Sequence, residues 1–202
     1  NLGNISDEIA KLSNLKVLDI SSNQLTELTH SVGDLARLER LLVHDNKLDS
    51  LPNEVESLSR LRYLNLRNNQ LTSMPTEIWE AAILDSIDVS LNQLIELPSP
   101  ARSNNGTIQL TYLDLSSNNL SGLPDDINKL VQLLNLNLSS NSIQFLPESF
   151  GELYNLRGLY LQSNELKELP NSIGDLDNLV EVNLSDNELT TLPESIQGIM
   201  DL

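Results

Sequence analysis

The chain has 202 residues, of which 39% are hydrophobic and 3% aromatic, and it carries a net charge of −17 at pH 7. A charge of this sign repels nucleic-acid phosphates and anionic lipid headgroups, so the composition argues against both as partners. The chain has no cysteine, which excludes disulfide-bonded caps and a cysteine nucleophile, and it has no apolar run long enough for a transmembrane helix.

The residues before Leu15 have the same apolar spacing as a segment 23 residues later. Leu2, Ile5, Ile9 and Leu12 correspond in this way to Leu25, Leu28, Val32 and Leu35. Leu202 falls where a ninth unit would begin, and neither end resembles the polar cap that stacked repeats need. We therefore expect residues 1–202 to be a single domain of about eight full repeats and a partial N-terminal one, as a fragment of a longer chain.

A unit of 23 residues with the pattern LxxLxLxxNxLxxLPxxIxxL accounts for the rest of the chain. The units begin at Leu15, Leu38, Leu61, Leu84, Leu110, Leu133, Leu156 and Leu179. Only the fourth interval differs, at 26 residues. Because the registers of all units agree, the chain is predicted to form a stack of equivalent structural repeats.

Each unit opens with a strand pattern, as the sixth unit illustrates. Leu136 and Leu138 alternate with Asn135, Asn137 and Ser139, and a period of two places the leucines in the core and the polar residues on the other face. No unit can bury its leucines alone, so the strands are predicted to stack in parallel register.

An asparagine occupies the ninth position of every unit. The eight residues are Asn23, Asn46, Asn69, Asn92, Asn118, Asn141, Asn164 and Asn187. A carboxamide both donates and accepts hydrogen bonds, so it can satisfy the backbone groups that a repeated inward turn leaves bare. We therefore predict a structural role for this column.

The second half of most units contains a Leu-Pro or Met-Pro pair followed by a spaced Ile and Leu. Proline has no N–H and a fixed φ, which suits the start of an outer segment. An apolar pair three residues apart, such as Ile173 and Leu176, buries one face of a short helix or 3-10 turn. The predicted unit is thus strand, turn and convex segment.

The two halves of the pattern together resemble the leucine-rich-repeat family, and the LPxxIxxL half resembles its intracellular Ras group. The resemblance covers essentially the whole chain. It implies an α/β solenoid, namely a curved right-handed leucine-rich-repeat horseshoe with a concave parallel β-sheet and convex short helical or 3-10 segments.

The fourth unit departs from the pattern between Pro98 and Gly106, where three residues are added. Its content of Pro, Gly, Ser and Asn predicts a surface loop. Two readings remain open: a tolerated insertion, or a loop that carries contacts.

Candidate binding residues are those that leave the concave face at positions three, five, seven and eight, because core packing does not constrain them. The second and third units differ most from the Asp, Asn and Ser usual there, and tyrosines continue the series in later units. The predicted partner-binding residues are Arg40, Leu42, His44, Tyr63, Asn65, Arg67, Tyr112, Tyr160 and Gln162. Tyr and Arg are the residues that interface hot spots favour. The alternative is that the tyrosines only pack laterally against neighbouring side chains.

The sequence shows no catalytic constellation. His30 and His44 occupy different repeat positions, so they are not expected to converge. His44 precedes Asp45, but neighbouring residues of a strand point to opposite faces unless the strand has already ended. There is no metal-spaced histidine cluster or EF-hand loop, and we expect no enzyme activity, no cofactor and no metal.

The function expected from these features is a cytoplasmic protein-interaction module with a protein partner on the concave face and no small-molecule substrate. The Ras-group resemblance implies a signalling partner, with a Ras-like small GTPase or a phosphatase scaffold as candidates. The alternative is a regulatory repeat region of a larger enzyme, such as an adenylyl cyclase or a protein phosphatase. Extracellular ligand recognition is disfavoured by the lack of cysteine, and glycans at Asn105 or Asn119 would reveal it.

Overall fold

The computed structural model describes residues 1–100 and 107–196. In these residues eight short strands form one open parallel sheet, in the order in which they occur along the chain. The strands are β1 (Val17–Asp19), β2 (Arg40–Leu42), β3 (Tyr63–Asn65), β4 (Ser86–Asp88), β5 (Tyr112–Asp114), β6 (Asn135–Asn137), β7 (Gly158–Tyr160) and β8 (Glu181–Asn183). Each strand pairs with the next at equivalent positions of the repeat. The predicted stack of parallel coils is therefore confirmed.

The convex segments are 3-10 helices of three to five residues in the described part of the chain. They are η1 (Asp7–Lys11), η2 (His30–Asp34), η3 (Asn53–Ser57), η4 (Thr76–Glu80), η5 (Ile127–Lys129), η6 (Glu148–Glu152), η7 (Asn171–Asp175) and η8 (Glu194–Ile196). A proline with extended ψ precedes several of them, for example Pro52 and Pro170. In η1 and η2, Ser6 and Thr29 take that place and accept a hydrogen bond from a backbone N–H.

The predicted loop of the fourth unit lies largely outside the described residues. Pro98, Ser99 and Pro100 are described, whereas residues 101–106 are not. The Nε1–H of Trp79 donates to the carbonyl oxygen of Pro98 at 3.0 Å. The buried Trp79 ring therefore holds the described start of this segment against the preceding coil.

The core is a continuous ribbon of aliphatic side chains between the sheet and the convex segments. Leu41, Leu64, Leu136 and Leu159 at the fourth position of their units are completely buried. Phe150 on η6 is also completely buried, so one of the few aromatic rings enters the ribbon. Within the described residues, no helix is long and apolar enough to span a bilayer.

The asparagine column joins each coil to the one before it, as Asn69 shows. Its Oδ1 accepts from the N–H of Leu48 in the previous coil at 3.0 Å. Its Nδ2 donates to the carbonyl oxygens of Val43 in that coil at 3.1 Å and of Leu66 in its own coil at 2.9 Å. One side chain thus satisfies backbone groups of two coils, which confirms the predicted structural role.

The chain turns sharply at the residue before each of these asparagines. All eight of those residues have left-handed φ values between 54° and 58°: Ser22, Asp45, Asn68, Leu91, Ser117, Ser140, Ser163 and Asp186. Short polar side chains tolerate this conformation best. Leu91 is the exception, and its left-handed backbone conformation costs about 1 to 2 kcal/mol of local strain.

The convex segments of neighbouring coils approach closely where a glycine occupies the 3-10 helix. A Cβ on Gly151 would lie 2.2 Å from the carbonyl oxygen of Ser172 in the next coil. Backbone atoms of a packed coil cannot yield at low energy. This glycine is therefore required by the stacking distance.

The asparagine column generates a prediction about stability, and a neighbouring exposed asparagine serves as its control. Asn118 accepts from Leu94 N–H and donates to the carbonyl oxygens of Val89 and Leu115, whereas its neighbour Asn119 is exposed. Asn118→Ala should lower the free energy of unfolding by roughly 2 to 4 kcal/mol, because it strands buried donors and acceptors. Asn119→Ala should stay within about 0.5 kcal/mol of wild type in the same urea titration. Equal effects of the two substitutions would contradict the structural role.

The close approach at Gly151 generates a second prediction. Gly151→Ala should lower the free energy of unfolding by roughly 1 to 3 kcal/mol, because the added methyl group overlaps backbone. At Gly122 a Cβ would meet nothing within 4 Å, so Gly122→Ala should be neutral or slightly stabilising. Thermal unfolding of both variants checks the contrast, and a fully stable Gly151→Ala protein would show that the coils can separate at little cost.

Candidate functional site

The outward face of β2 and β3 holds a cluster of fixed side chains in which Arg40 and Tyr63 are register partners. The Cζ of Arg40 lies 5.0 Å from the centroid of the Tyr63 ring, within the range of a cation–π contact. Asn65 Nδ2 donates to Tyr63 Oη at 3.4 Å. Leu42, the register partner of Asn65, is half-buried beside it. Four predicted site residues thus form one contiguous patch.

Arg67 extends this patch toward the fourth coil. Its backbone N–H donates to Asn65 Oδ1 at 3.0 Å, and its Nη1 donates to Ser90 Oγ at 2.7 Å. Ser90 is completely buried. Its hydroxyl donates to Asp88 Oδ1, so the guanidinium of Arg67 is held at the end of a hydrogen-bond chain. An exposed arginine anchored in this way loses little further freedom when it binds a partner.

His44 and Asp45 contact each other, because the strand has ended before them. Strand β2 ends at Leu42 and Asp45 has a φ of 54°, so the alternation that would separate the two side chains no longer applies. His44 Nδ1 lies 2.9 Å from Asp45 Oδ2, and Asn68 Nδ2 donates to Asp45 Oδ1 at 2.6 Å. Hydrogen bonds from Asn68 first and then from His44 hold the pKa of Asp45 below its ordinary value.

The two histidines lie on different parts of the coil. His30 is on η2 and its Nδ1 lies 2.7 Å from Glu54 Oε2, whereas His44 follows β2. Hydrogen bonding to Glu54 raises the pKa of His30. Within the described residues no group of three or more His, Asp or Glu side chains has the arrangement of a metal site.

Tyr112 continues the cluster on β5, separated from Tyr63 in the register by Ser86. Its Oη donates to Asp114 Oδ2 at 3.3 Å. Partial burial, followed by the negative charge of Asp114, raises the pKa of Tyr112 from 10.0 to about 12. This tyrosine is therefore a neutral hydrogen-bonding group at any physiological pH.

Tyr160 and Gln162 lie farther along the sheet, with β6 between them and Tyr112. Tyr160 Oη donates to Glu181 Oε2 at 2.6 Å, which raises the pKa of the phenol. A Cβ on Gly158 would lie 3.4 Å from the Tyr160 ring, so the ring lies close to the glycine backbone. Gln162 is half-buried, and its Oε1 has no hydrogen-bond partner among the described residues. These two residues share the outward face with the first cluster but do not contact it.

Leu91, which immediately follows Ser90, is not among the predicted partner-binding residues. Leu91 is 40% exposed and is the only apolar member of the left-handed column. Comparison of the eighth positions of all units would have revealed it, because the others are Ser, Asp or Asn. Strain and exposure together mark Leu91 as a candidate contact residue.

A stack of coils with an open parallel sheet on one side defines a repeat solenoid, and family comparisons agree with this class. A leucine rich repeat model matches residues 1–48, 36–94 and 108–166, and a second one matches residues 178–199. The chain belongs to the leucine-rich-repeat family. The repeats and the relatives described next support a protein-interaction module, whereas membership of the intracellular Ras group stays a prediction.

Several solved structures share the fold across nearly the whole chain. A leucine-rich-repeat protein of Leptospira interrogans has 36% identity and a TM-score of 0.92, and the match covers 100% of this chain and 51% of that protein. The plant peptide hormone receptor RGFR1 in complex with RGF2 has 30% identity and a TM-score of 0.81, with 93% and 31% covered. Internalin C2 of Listeria monocytogenes has 25% identity and a TM-score of 0.76, with 91% and 76% covered. The chain thus spans about half the length of the Leptospira protein, and no curated protein sequence matches it significantly.

The raised pKa of Tyr112 generates a prediction about alkaline stability. Its folded-state pKa of about 12 lies above the ordinary value of 10.0, so the unfolded chain releases the proton first and stability falls as pH rises from about 10 toward about 12. Tyr112→Phe should make this fall less steep. Urea titrations of both proteins at about pH 9 and about pH 11 measure the difference. Parallel losses in wild type and variant would show that Tyr112 ionises normally.

Proposed function

We propose that this chain is a module that binds a protein or peptide partner on the concave face of its sheet. The observation that carries the proposal is the cluster of Arg40, Tyr63 and Arg67, whose side chains are held by contacts within the face yet remain exposed or half-buried. Fixed aromatic and guanidinium groups bind with a small entropic cost. The partner-binding surface also includes Leu42, His44, Asn65, Tyr112, Tyr160 and Gln162.

The structure supports a second contact region rather than one unbroken stripe. Tyr160 and Gln162 lie two strands beyond Tyr112, and the intervening β6 presents Asn135 and Asn137. An extended segment that crosses the sheet at about 4.8 Å per strand would reach both regions. A partner of this kind contacts the tyrosines at intervals, with hydrophilic contacts between them.

The resemblance to the Ras group supports a signalling partner in the cytoplasm, with a Ras-like small GTPase or a phosphatase scaffold as the candidates. A regulatory repeat region of a larger signalling enzyme is the alternative within the same setting. In both cases the concave face binds the partner and the net charge of −17 disfavours nucleic acids and anionic membranes. The module needs no cofactor or small-molecule substrate for this activity.

A second candidate is recognition of an extracellular peptide, which the similarity to RGFR1 in complex with RGF2 favours. Asn119 belongs to an Asn-Leu-Ser sequon and is exposed, so a glycan could be attached without opening the sheet. Asn137, in another sequon, donates to Asp114 and accepts from Ser139. Mass analysis of Asn119 in native material therefore separates the extracellular setting from the cytoplasmic one.

A double substitution on the concave face tests the proposed function. Tyr63→Ala with Arg67→Ala should weaken partner binding by roughly 2 to 4 kcal/mol, while the melting temperature changes little because neither side chain enters the core. Affinity capture from extract, followed by titration of the captured partner, measures the loss. The matched control is Tyr154→Ala with Arg157→Ala, which removes the same residue types outside the strand positions of the concave face. Equal loss in both double variants, or no loss in the first, would place the binding surface elsewhere.

A further inference from the structure

The concave face of the second and third coils carries two arginines, Arg40 and Arg67. The chain has 29 acidic and 12 basic residues, and within the described residues the Lys, Arg and His side chains that contact a carboxylate are Lys11, Lys16, His30 and His44. Arg40 and Arg67 do not appear among them. Neither guanidinium therefore forms an ion pair in that part of the chain, although the charge of Arg67 contributes to the lowered pKa of Asp45 after the hydrogen bonds from Asn68 and His44.

Both guanidiniums are nevertheless held in place by uncharged groups. Arg40 lies over the ring of Tyr63, and Arg67 donates to the hydroxyl of Ser90. These contacts fix the orientation of each guanidinium without neutralising it. Their remaining N–H groups stay available for the bidentate hydrogen bonds that carboxylates accept.

The nearby carboxylates are occupied by other donors. Asp45 accepts from Asn68 and lies against His44, and Asp88 accepts from the backbone and the hydroxyl of Ser90. Asp114 accepts from Ser116, Tyr112 and Asn137. Each of these carboxylates thus has at least one oxygen engaged within the face, whereas neither arginine contacts a carboxylate of the described residues.

The fourth coil presents an exposed apolar residue, Leu91, next in sequence to Ser90. Leu91 follows Ser90 directly, is 40% exposed, and has a φ of 54°. The backbone N–H of Asn69 donates to the Leu91 carbonyl oxygen at 3.3 Å, which places Leu91 next to the coil that carries Arg67. Leu91 thus adjoins the residue that Arg67 contacts, Ser90, and an exposed leucine there matches a ligand that alternates acidic and apolar groups.

We propose that the concave face of the second to fourth coils binds an acidic segment of a partner protein, with side-chain carboxylates on Arg40 and Arg67 and an apolar residue against Leu91. This inference rests on the proposed function and names the chemistry of its partner. Arg40 lies over Tyr63 of the third coil and Arg67 contacts Ser90 of the fourth coil, so the two guanidiniums lie against neighbouring coils. Acidic side chains of one extended segment can each bind one of them.

The net charge of −17 would by itself attract a basic partner rather than an acidic one. At physiological salt, however, charges beyond about 8 Å are largely screened, and contacts at the site decide the preference. Eight of the 12 cations lie within residues 1–67, so the local surroundings of the site are the least acidic part of the chain.

Selection of a displayed library of random peptides of about 12 residues, long enough to cross the sheet, tests this directly. The immobilised proteins are the full chain, Arg40→Gln with Arg67→Gln, Tyr112→Ala with Tyr160→Ala, and Arg157→Gln as a control that removes an exposed arginine outside the strands. Wild type and Arg157→Gln should enrich peptides rich in Asp and Glu, and Arg40→Gln with Arg67→Gln should lose that enrichment. Circular dichroism melting confirms that each variant is folded.

The affinity of one enriched acidic peptide, labelled for fluorescence anisotropy, provides the quantitative test. Its Kd should rise at least about tenfold in Arg40→Gln with Arg67→Gln and less than about twofold in Arg157→Gln. Exchange of its Glu residues for Gln should abolish the difference between wild type and the arginine variant.

The outcomes separate this inference from the proposed function. If wild type enriches basic or neutral peptides, and Tyr112→Ala with Tyr160→Ala abolishes that enrichment, the acidic-segment proposal is overturned. The proposal of a concave binding module then still stands. Enrichment of acidic peptides that survives the loss of both arginines would also overturn the acidic-segment proposal. No enrichment on wild type, or enrichment that no concave substitution changes, would overturn both proposals.

Discussion

The sharing of backbone hydrogen bonds between coils, through one asparagine per unit, is the interaction on which the rest of this structure depends. Asn46 accepts from Leu25 of the previous coil and donates to Ile20 of that coil and Val43 of its own. A single coil would leave these groups to water or bury them unpaired, at a cost of about 1 to 3 kcal/mol for each buried group. The fold is therefore stable only as a stack, and stability is passed from coil to coil.

Because the stack fixes the register, the proposed binding surface is a set of columns rather than a pocket. Residues 23 positions apart in sequence become lateral neighbours on the sheet, as Arg40 and Tyr63 do. The core requires leucine at the inward positions, so variation at the outward positions costs little stability. This separation explains how a strongly repetitive core can present a patch as individual as that of the second to fourth coils.

The same register gives the concave face a local distribution of charge that differs from the net charge of the chain. The carboxylates of the concave face are held by serine hydroxyls, asparagine amides and tyrosine phenols from their own or adjacent coils. The arginines are held by an aromatic ring and a hydroxyl, which leave their charge free. The acidic partner segment that we propose depends on this local arrangement rather than on the net charge.

The sequence by itself determined the repeat, the strand positions, the convex segments and the asparagine column, because each follows from a local pattern that recurs in every unit. It also placed Tyr63, Arg67 and Tyr160 on the outward face, since period-two alternation fixes the side of a strand. Only the tertiary structure decided the stacking of Arg40 on Tyr63, the contact of Arg67 with Ser90 and the gap before Tyr160, because these depend on side-chain conformations between coils. It also decided that His44 meets Asp45 and that Leu91 is strained, because the backbone becomes left-handed where the strand ends and alternation no longer predicts direction.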